Sequence, residues 1–134
     1  MSGADVFFDS NVLLYLLSTG TKAARARSLL AHGGIISVQV LNEIASVSRR
    51  KLALDWAEVH ELLATVQMAC RVEPISVWTH ARGIGIAETY GFRVYDSMIV
   101  AAALEAGCAT LLSEDMQNGQ RIGRMVIRNP FAGA

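Results

Sequence analysis

The feature that most restricts the fold of this chain is a repeated alternation of short apolar runs with longer stretches of helical periodicity. Val6-Phe7-Phe8 reads as a short buried strand, with a helix over Asn11 to Leu17 behind it. Lys22 to His32 continues helically and stops at Gly33-Gly34, a natural C-terminal signal. Ile35-Ile36 predicts a second strand, and Ser37 stands where it can cap a helix running to about Lys51. Asp55 and Glu58, three apart, form a capping-box-like start for a helix reaching Met68. Val72 and Ile75 bracket a weak third strand interrupted by Pro74, and Val77 to Tyr90 is a helix closed by Gly91. Phe92 to Tyr95 reads as extended or irregular, and Asp96 opens a helix over Ser97 to Ala106, closed by Gly107. Ala109 to Leu112 is a strand, a polar turn follows, and Met125 to Ile127 is the last strand. Strand followed by helix, repeated, predicts an α/β fold with a mostly parallel sheet of about five short strands and helices on both faces. No repeat, low-complexity tract or linker interrupts the pattern, so one domain over residues 4–131 is expected.

Composition removes several classes of function. With 134 residues, 52% hydrophobic and 18% charged, the chain is neither disordered nor fibrous. The longest apolar run, Met98 to Leu104, is far short of the ~20 residues of a membrane-spanning helix, so no membrane is expected. The opening MSGADVFFDS has no basic segment and does not read as a signal peptide. Cys70 and Cys108 lack metal-ligand spacing and cannot build a disulfide framework, which makes a reducing, cytoplasmic compartment the expectation. Twelve basic and twelve acidic residues cancel, so bulk charge does not bind nucleic acid. Ten of the twelve cations are arginine, which favours local, bidentate recognition of anions.

Ligands of parallel α/β sheets collect at the carboxyl ends of the strands. Asp9 directly follows the first strand, and Asp115 follows the strand ending at Leu112. Asp96 stands at the edge of a helix, and Glu43 lies in the helix after the second strand. Taken singly, Asp96 reads as a helix cap and Asp115 as a turn residue in SEDMQNG. Glu43 resists such a reading, because Val40, Glu43, Ile44 and Val47 share one apolar helical face. A carboxylate there costs several kcal/mol unless it finds a partner. Asp9, flanked by Val6-Phe7-Phe8 and Val12-Leu13-Leu14, poses the same problem. Four such positions at one rim suggest a shared hard cation, Mg²⁺ or Mn²⁺ and not Zn²⁺, since His32, His60 and His80 fall on amphipathic helices with solvated or core roles.

The segments FFDSNVLLY, SVQVLNEIASV, VYDSMIVAAALEAGC and LLSEDMQNG, in this order and spacing, resemble the four signature segments of PIN-domain proteins. The short length and the ending VIRNPF resemble the single-domain toxins of VapBC-type toxin–antitoxin systems. The resemblance implies that Asp9, Glu43, Asp96 and Asp115 are an acidic quartet holding Mg²⁺ or Mn²⁺ for hydrolysis of RNA. It assigns supporting roles to Asn11 and to Ser113, and implies a cognate antitoxin and a homodimer. One departure is Gln117, where many relatives carry a further acid two residues after Asp115. Glu114 adjoins the quartet, but alternation points its side chain away.

Other features read structurally. Arg49-Arg50-Lys51 ends a helix, where cations suit the macrodipole, with contact to an RNA backbone as the alternative. Trp56 and Trp78 read as core or dimer surface, and Gly83-x-Gly85 lacks the preceding strand of a dinucleotide fingerprint. Two other functions compete with RNA hydrolysis. Phosphotransfer through an aspartyl-phosphate at Asp9 is weakened by Asn11, where phosphatases need a second aspartate, and by lysines only at Lys22 and Lys51. A non-catalytic binding module is the other, which the presence of all four acids does not favour.

Overall fold

The computed structural model describes residues 5–132. The expected domain start at residue 4 and the first four residues of the N-terminal segment lie outside the described residues. In chain order the elements are β1 (Val6–Phe8), α1 (Ser10–Leu13), a 3-10 helix (Leu14–Leu17), α2 (Thr21–Ala31), β2 (Gly34–Ser37), α3 (Val38–Arg50) and α4 (Trp56–Ala69). Then follow β3 (Cys70–Glu73), α5 (Val77–Tyr90), α6 (Val94–Glu105), β4 (Thr110–Leu112), β5 (Arg121–Ile122) and β6 (Met125–Arg128).

The strands form one sheet in the order β3-β2-β1-β4-β6-β5, parallel throughout except for the β5–β6 pair. The α/β expectation therefore holds, with one strand more than expected. The additional strand, β5, has two residues, too few for any periodicity to register. It is joined to β6 across Gly123, whose φ of 59° suits the first position of a two-residue hairpin loop. Phe7, Phe8, Ile35, Ile36, Leu111 and Ile127 are almost wholly buried, as residues of parallel strands covered on both faces must be. Helix α6 is buried continuously from Ser97 to Ala103, so it shows no amphipathic stripe, and it packs against α5. Gly83 of α5 admits this close approach: a Cβ there would lie 2.5 Å from Met98 Sδ.

Several boundaries differ from the sequence reading for identifiable reasons. The helix expected over Asn11 to Leu17 is a single α-turn passing into a 3-10 turn. The third strand begins earlier, at Cys70, because its register with β2 pairs Gly34 with Cys70 and Ser37 with Glu73. It stops before Pro74, whose missing N–H cannot extend the ladder. Helix α6 begins at Val94, so Asp96 is its third residue and not its cap. Arg93 takes the extended cap conformation, and its carbonyl accepts from Ser97 N–H at 2.9 Å. Ser37 does stand at the N-cap of α3, yet its hydroxyl makes no capping bond and is buried without a partner. As the last residue of β2 its side chain follows the sheet's pleat instead of turning back over the helix. Asp55 and Glu58 form the capping box expected of them, with reciprocal bonds of 2.8 and 3.0 Å. Trp56 and Trp78 are largely exposed, so neither belongs to the core.

The connections dictate where a ligand can enter. From β1 the chain steps to β2 and then β3 on one side, while β4 and β6 lie on the other. The crevice between the carboxyl ends of β1 and β4 is thus the topological switch point of the sheet.

Candidate active site

Asp9 is the first residue after β1, and its N–H still donates to Leu112 O of β4 at 2.9 Å. It caps α1: Oδ1 accepts from Ser10 N–H at 2.7 Å. Oδ2 accepts from Ser113 Oγ at 2.9 Å and from Asn11 Nδ2 at 3.2 Å. Only 4% exposed, the carboxyl is pushed up to about 6. Burial is the main cause, the bonds from Ser113 and Ser10 oppose it, and the negative charges of Asp96 and Asp115 add to it.

Ser113 follows β4 and is completely buried, which locks its hydroxyl onto Asp9. Two residues on, the exposed Asp115 presents Oδ2 to Asn11 Nδ2 at 3.2 Å. Asn11 also lies 3.4 Å from Ser113 Oγ, while its Oδ1 accepts from Glu114 N–H at 3.0 Å. One amide therefore stitches the β1 side of the crevice to the β4 side.

Glu43 enters from α3, half-buried, with Oε1 lacking any hydrogen-bond partner. Its carboxyl is pushed up to about 7, first by burial and then by the charges of Asp9 and Asp96, against a smaller opposing effect of Gln39. Asp96 comes from the first turn of α6, where the helix dipole favours an acid. Its carboxyl is also raised, by burial and by Asp115, with the exposed Arg93 at 3.7 Å working the other way. Gln39 Nε2 donates to Tyr95 O at 2.9 Å, tying the helix of Glu43 to the turn that carries Asp96.

Asp9, Asp96 and Asp115 thus lie within electrostatic reach of one another, and Glu43 lies within reach of Asp9 and Asp96, with Asn11 bridging Asp9 and Asp115 and Ser113 bonded to Asp9. Among the described residues no three acidic, histidine or cysteine side chains are drawn together as a finished metal cage. The donors suit a hard cation all the same. They are carboxylate oxygens, they repel one another, and one buried oxygen of Glu43 is unpartnered. Mg²⁺ keeps several waters and needs only one or two carboxylates directly, so an open arrangement fits it better than it would Zn²⁺. His32, His60 and His80 are exposed, at the C-cap of α2, in α4 and in α5. Sequence reasoning missed Tyr15 and Lys22, which grip Glu114 beside the site. No local signal marks them, because Lys22 and Glu114 are 92 residues apart.

The molecule is thus an α/β domain with a mostly parallel sheet and acidic side chains near its switch point. The PIN domain model matches residues 6–120, and the chain belongs to the PIN domain family. Solved structures extend the likeness. A toxin–antitoxin complex from Klebsiella pneumoniae superposes with a TM-score of 0.74 at 17% identity, covering 94% of this chain and 98% of that one. DNA-bound VapBC from Salmonella typhimurium matches with a TM-score of 0.66 at 19% identity, over 97% and 99% of the two chains. VapC20 of Mycobacterium tuberculosis, described as a toxin that cleaves the sarcin–ricin loop, gives 0.65 at 16% identity, over 79% and 86%. A search of curated protein sequences returns no significant match.

Proposed function

We propose that this chain is a Mg²⁺- or Mn²⁺-dependent endoribonuclease and the toxin component of a type II toxin–antitoxin system. The reading rests on one observation above the others: Asp9, Glu43 and Asp96 come from three separate segments, and each is raised above the ordinary carboxyl value by burial and by neighbouring acids, Asp115 among them for Asp9 and Asp96. The fold it shares with VapC20 and with VapBC assemblies supports the choice of RNA as substrate and of an antitoxin as partner.

In this reading Asp9, Glu43, Asp96 and Asp115 would hold the ion. Such an ion would supply charge to polarise a phosphoryl oxygen and would lower the pKa of water toward neutral pH. The remaining work belongs to the chain. Ser113 and Ser10 fix both oxygens of Asp9, so its carboxylate would meet an ion already oriented. Asn11 keeps Asp9 and Asp115 at a set separation by donating to each. Glu43, with a bare Oε1, holds the oxygen with least competition for an ion or a proton. The chain acts in the cytoplasm and as a homodimer, to which the exposed Val77 and Trp78 of α5 lend apolar surface.

The test is cleavage of RNA by purified protein with and without EDTA, with Asp9→Asn as control. Cleavage that requires Mg²⁺ or Mn²⁺ and disappears in the variant, while its circular dichroism matches wild type, is the expected result. Cleavage that persists in EDTA, or in Asp9→Asn at equal metal concentration, removes both the metal and the site from the proposal.

A further inference from the structure

The loop after β4 carries Ser113 and Asp115 toward the crevice, and between them Glu114 turns the other way. Its Oε1 accepts from Tyr15 OH at 2.7 Å and its Oε2 from Lys22 Nζ at 2.6 Å. Lys22 Nζ is also 3.3 Å from Tyr15 OH and lies over the rings of Tyr15 and Phe131, at 5.1 and 5.6 Å from their centroids. Those two rings meet edge-on at 4.8 Å. Elements distant in sequence therefore close on one carboxylate: the 3-10 helix, α2 and the β4–β5 loop.

The backbone of the same residue reaches the site. Glu114 N–H donates to Asn11 Oδ1 at 3.0 Å. A backbone N–H can only donate, so the atom of Asn11 facing it is the oxygen. The amide nitrogen must then face the other way, toward Asp9 Oδ2, Asp115 Oδ2 and Ser113 Oγ. Reversed, the amide would set its oxygen against two carboxylates. Size alone does not choose between these orientations, because the two ends of the amide are nearly isosteric.

We propose that Tyr15, Lys22 and Glu114 form a clamp that positions the acidic site: by anchoring Glu114 they hold its N–H on Asn11 Oδ1 and keep Nδ2 turned to Asp9 and Asp115. The three are positioning residues, acting through Asn11. The inference rests on the crevice being a metal site, as proposed above, and deepens that reading.

A purely electrostatic influence makes different predictions. Removing the Lys22 cation beside an acidic crevice would tighten Mn²⁺, and Tyr15→Phe, which changes no charge, would do nothing. A clamp loosens Mn²⁺ in both. The experiment is calorimetric titration of Mn²⁺ into purified wild type, Tyr15→Phe, Lys22→Ala and Asp9→Asn, with no RNA present. Each clamp variant is expected to raise the dissociation constant by about three- to tenfold, the worth of one hydrogen bond. The second readout is the side-chain amide resonance of Asn11 in metal-free, ¹⁵N-labelled protein, assigned by its loss in Asn11→Ser. It is expected to shift in both clamp variants. Tighter Mn²⁺ binding in Lys22→Ala, or an Asn11 resonance unmoved in both variants, overturns the clamp. If Asp9→Asn binds Mn²⁺ as wild type does, the metal reading falls, and the Asn11 resonance still decides the clamp by itself.

Discussion

Asp9 shows how one residue carries opposed demands. Three donors hold its carboxylate in place, yet burial and neighbouring acids make the charge costly. Glu43 bears the same cost with a bare Oε1. The consequence for stability has a definite sign. A carboxyl raised on folding binds more protons in the folded chain than in the unfolded one. Its contribution is fully present below the ordinary carboxyl value and is lost as pH rises through the folded value. For Asp9 that window runs from 3.8 to about 6, and for Glu43 from 4.5 to about 7. At about 1.4 kcal/mol per pH unit, the Asp9 window corresponds to roughly 3 kcal/mol. In chelator, wild type should therefore lose more stability between pH 4 and 7 than Asp9→Asn does. Urea denaturation at several pH values measures the difference, and parallel profiles would contradict it.

At the scale of elements, the approach of strand to strand and helix to helix depends on two glycines of different kinds. A Cβ on Gly34 would lie 2.3 Å from Phe8 Cε2 and 2.7 Å from Cδ2. Phe8 is wholly buried in β1, and a rigid ring there has little room to move. Gly34→Ala should cost about 1–3 kcal/mol, the usual range for overpacking. At Gly83 the atoms met are Sδ and Cε of Met98, the far end of a flexible side chain. Alanine also favours helix over glycine by up to about 1 kcal/mol. Gly83→Ala should therefore destabilise clearly less than Gly34→Ala. The order of the two urea midpoints, at equal slope, tests the argument.

Over the whole molecule, the acidic crevice sets stability against metal binding. Burial and Asp115 disfavour the charge on Asp96, against the exposed Arg93 and the dipole of α6. Asp96→Asn should then melt above wild type in EDTA. It should also gain less from added Mn²⁺, which stabilises the wild-type chain by roughly 2.7 kcal/mol at 100 times its dissociation constant. Melting temperatures of both proteins, with and without Mn²⁺ at neutral pH, give the comparison. A lower melting temperature for the variant in EDTA, with equal responses to Mn²⁺, would make Asp96 a structural residue of the α6 turn.

The sequence by itself determined the alternation of strand and helix, the parallel sheet and the two acids set among apolar neighbours, Asp9 and Glu43. These follow from local periodicity, from glycine stops and from carboxylates set where apolar neighbours make them expensive, as at Glu43 among Val40, Ile44 and Val47. The capping box of Asp55 and Glu58 was legible for the same reason, since it is closed within four residues. Strand β5 was not, because two residues carry no period and its pairing comes from β6. The start of α6 was not, because Arg93 lends its backbone to the cap and no side chain announces it. Nor was the grip of Tyr15 and Lys22 on Glu114, or the direction in which Asn11 turns its amide. Those bonds join residues up to 103 positions apart, and they exist only once β4 has been laid beside β1.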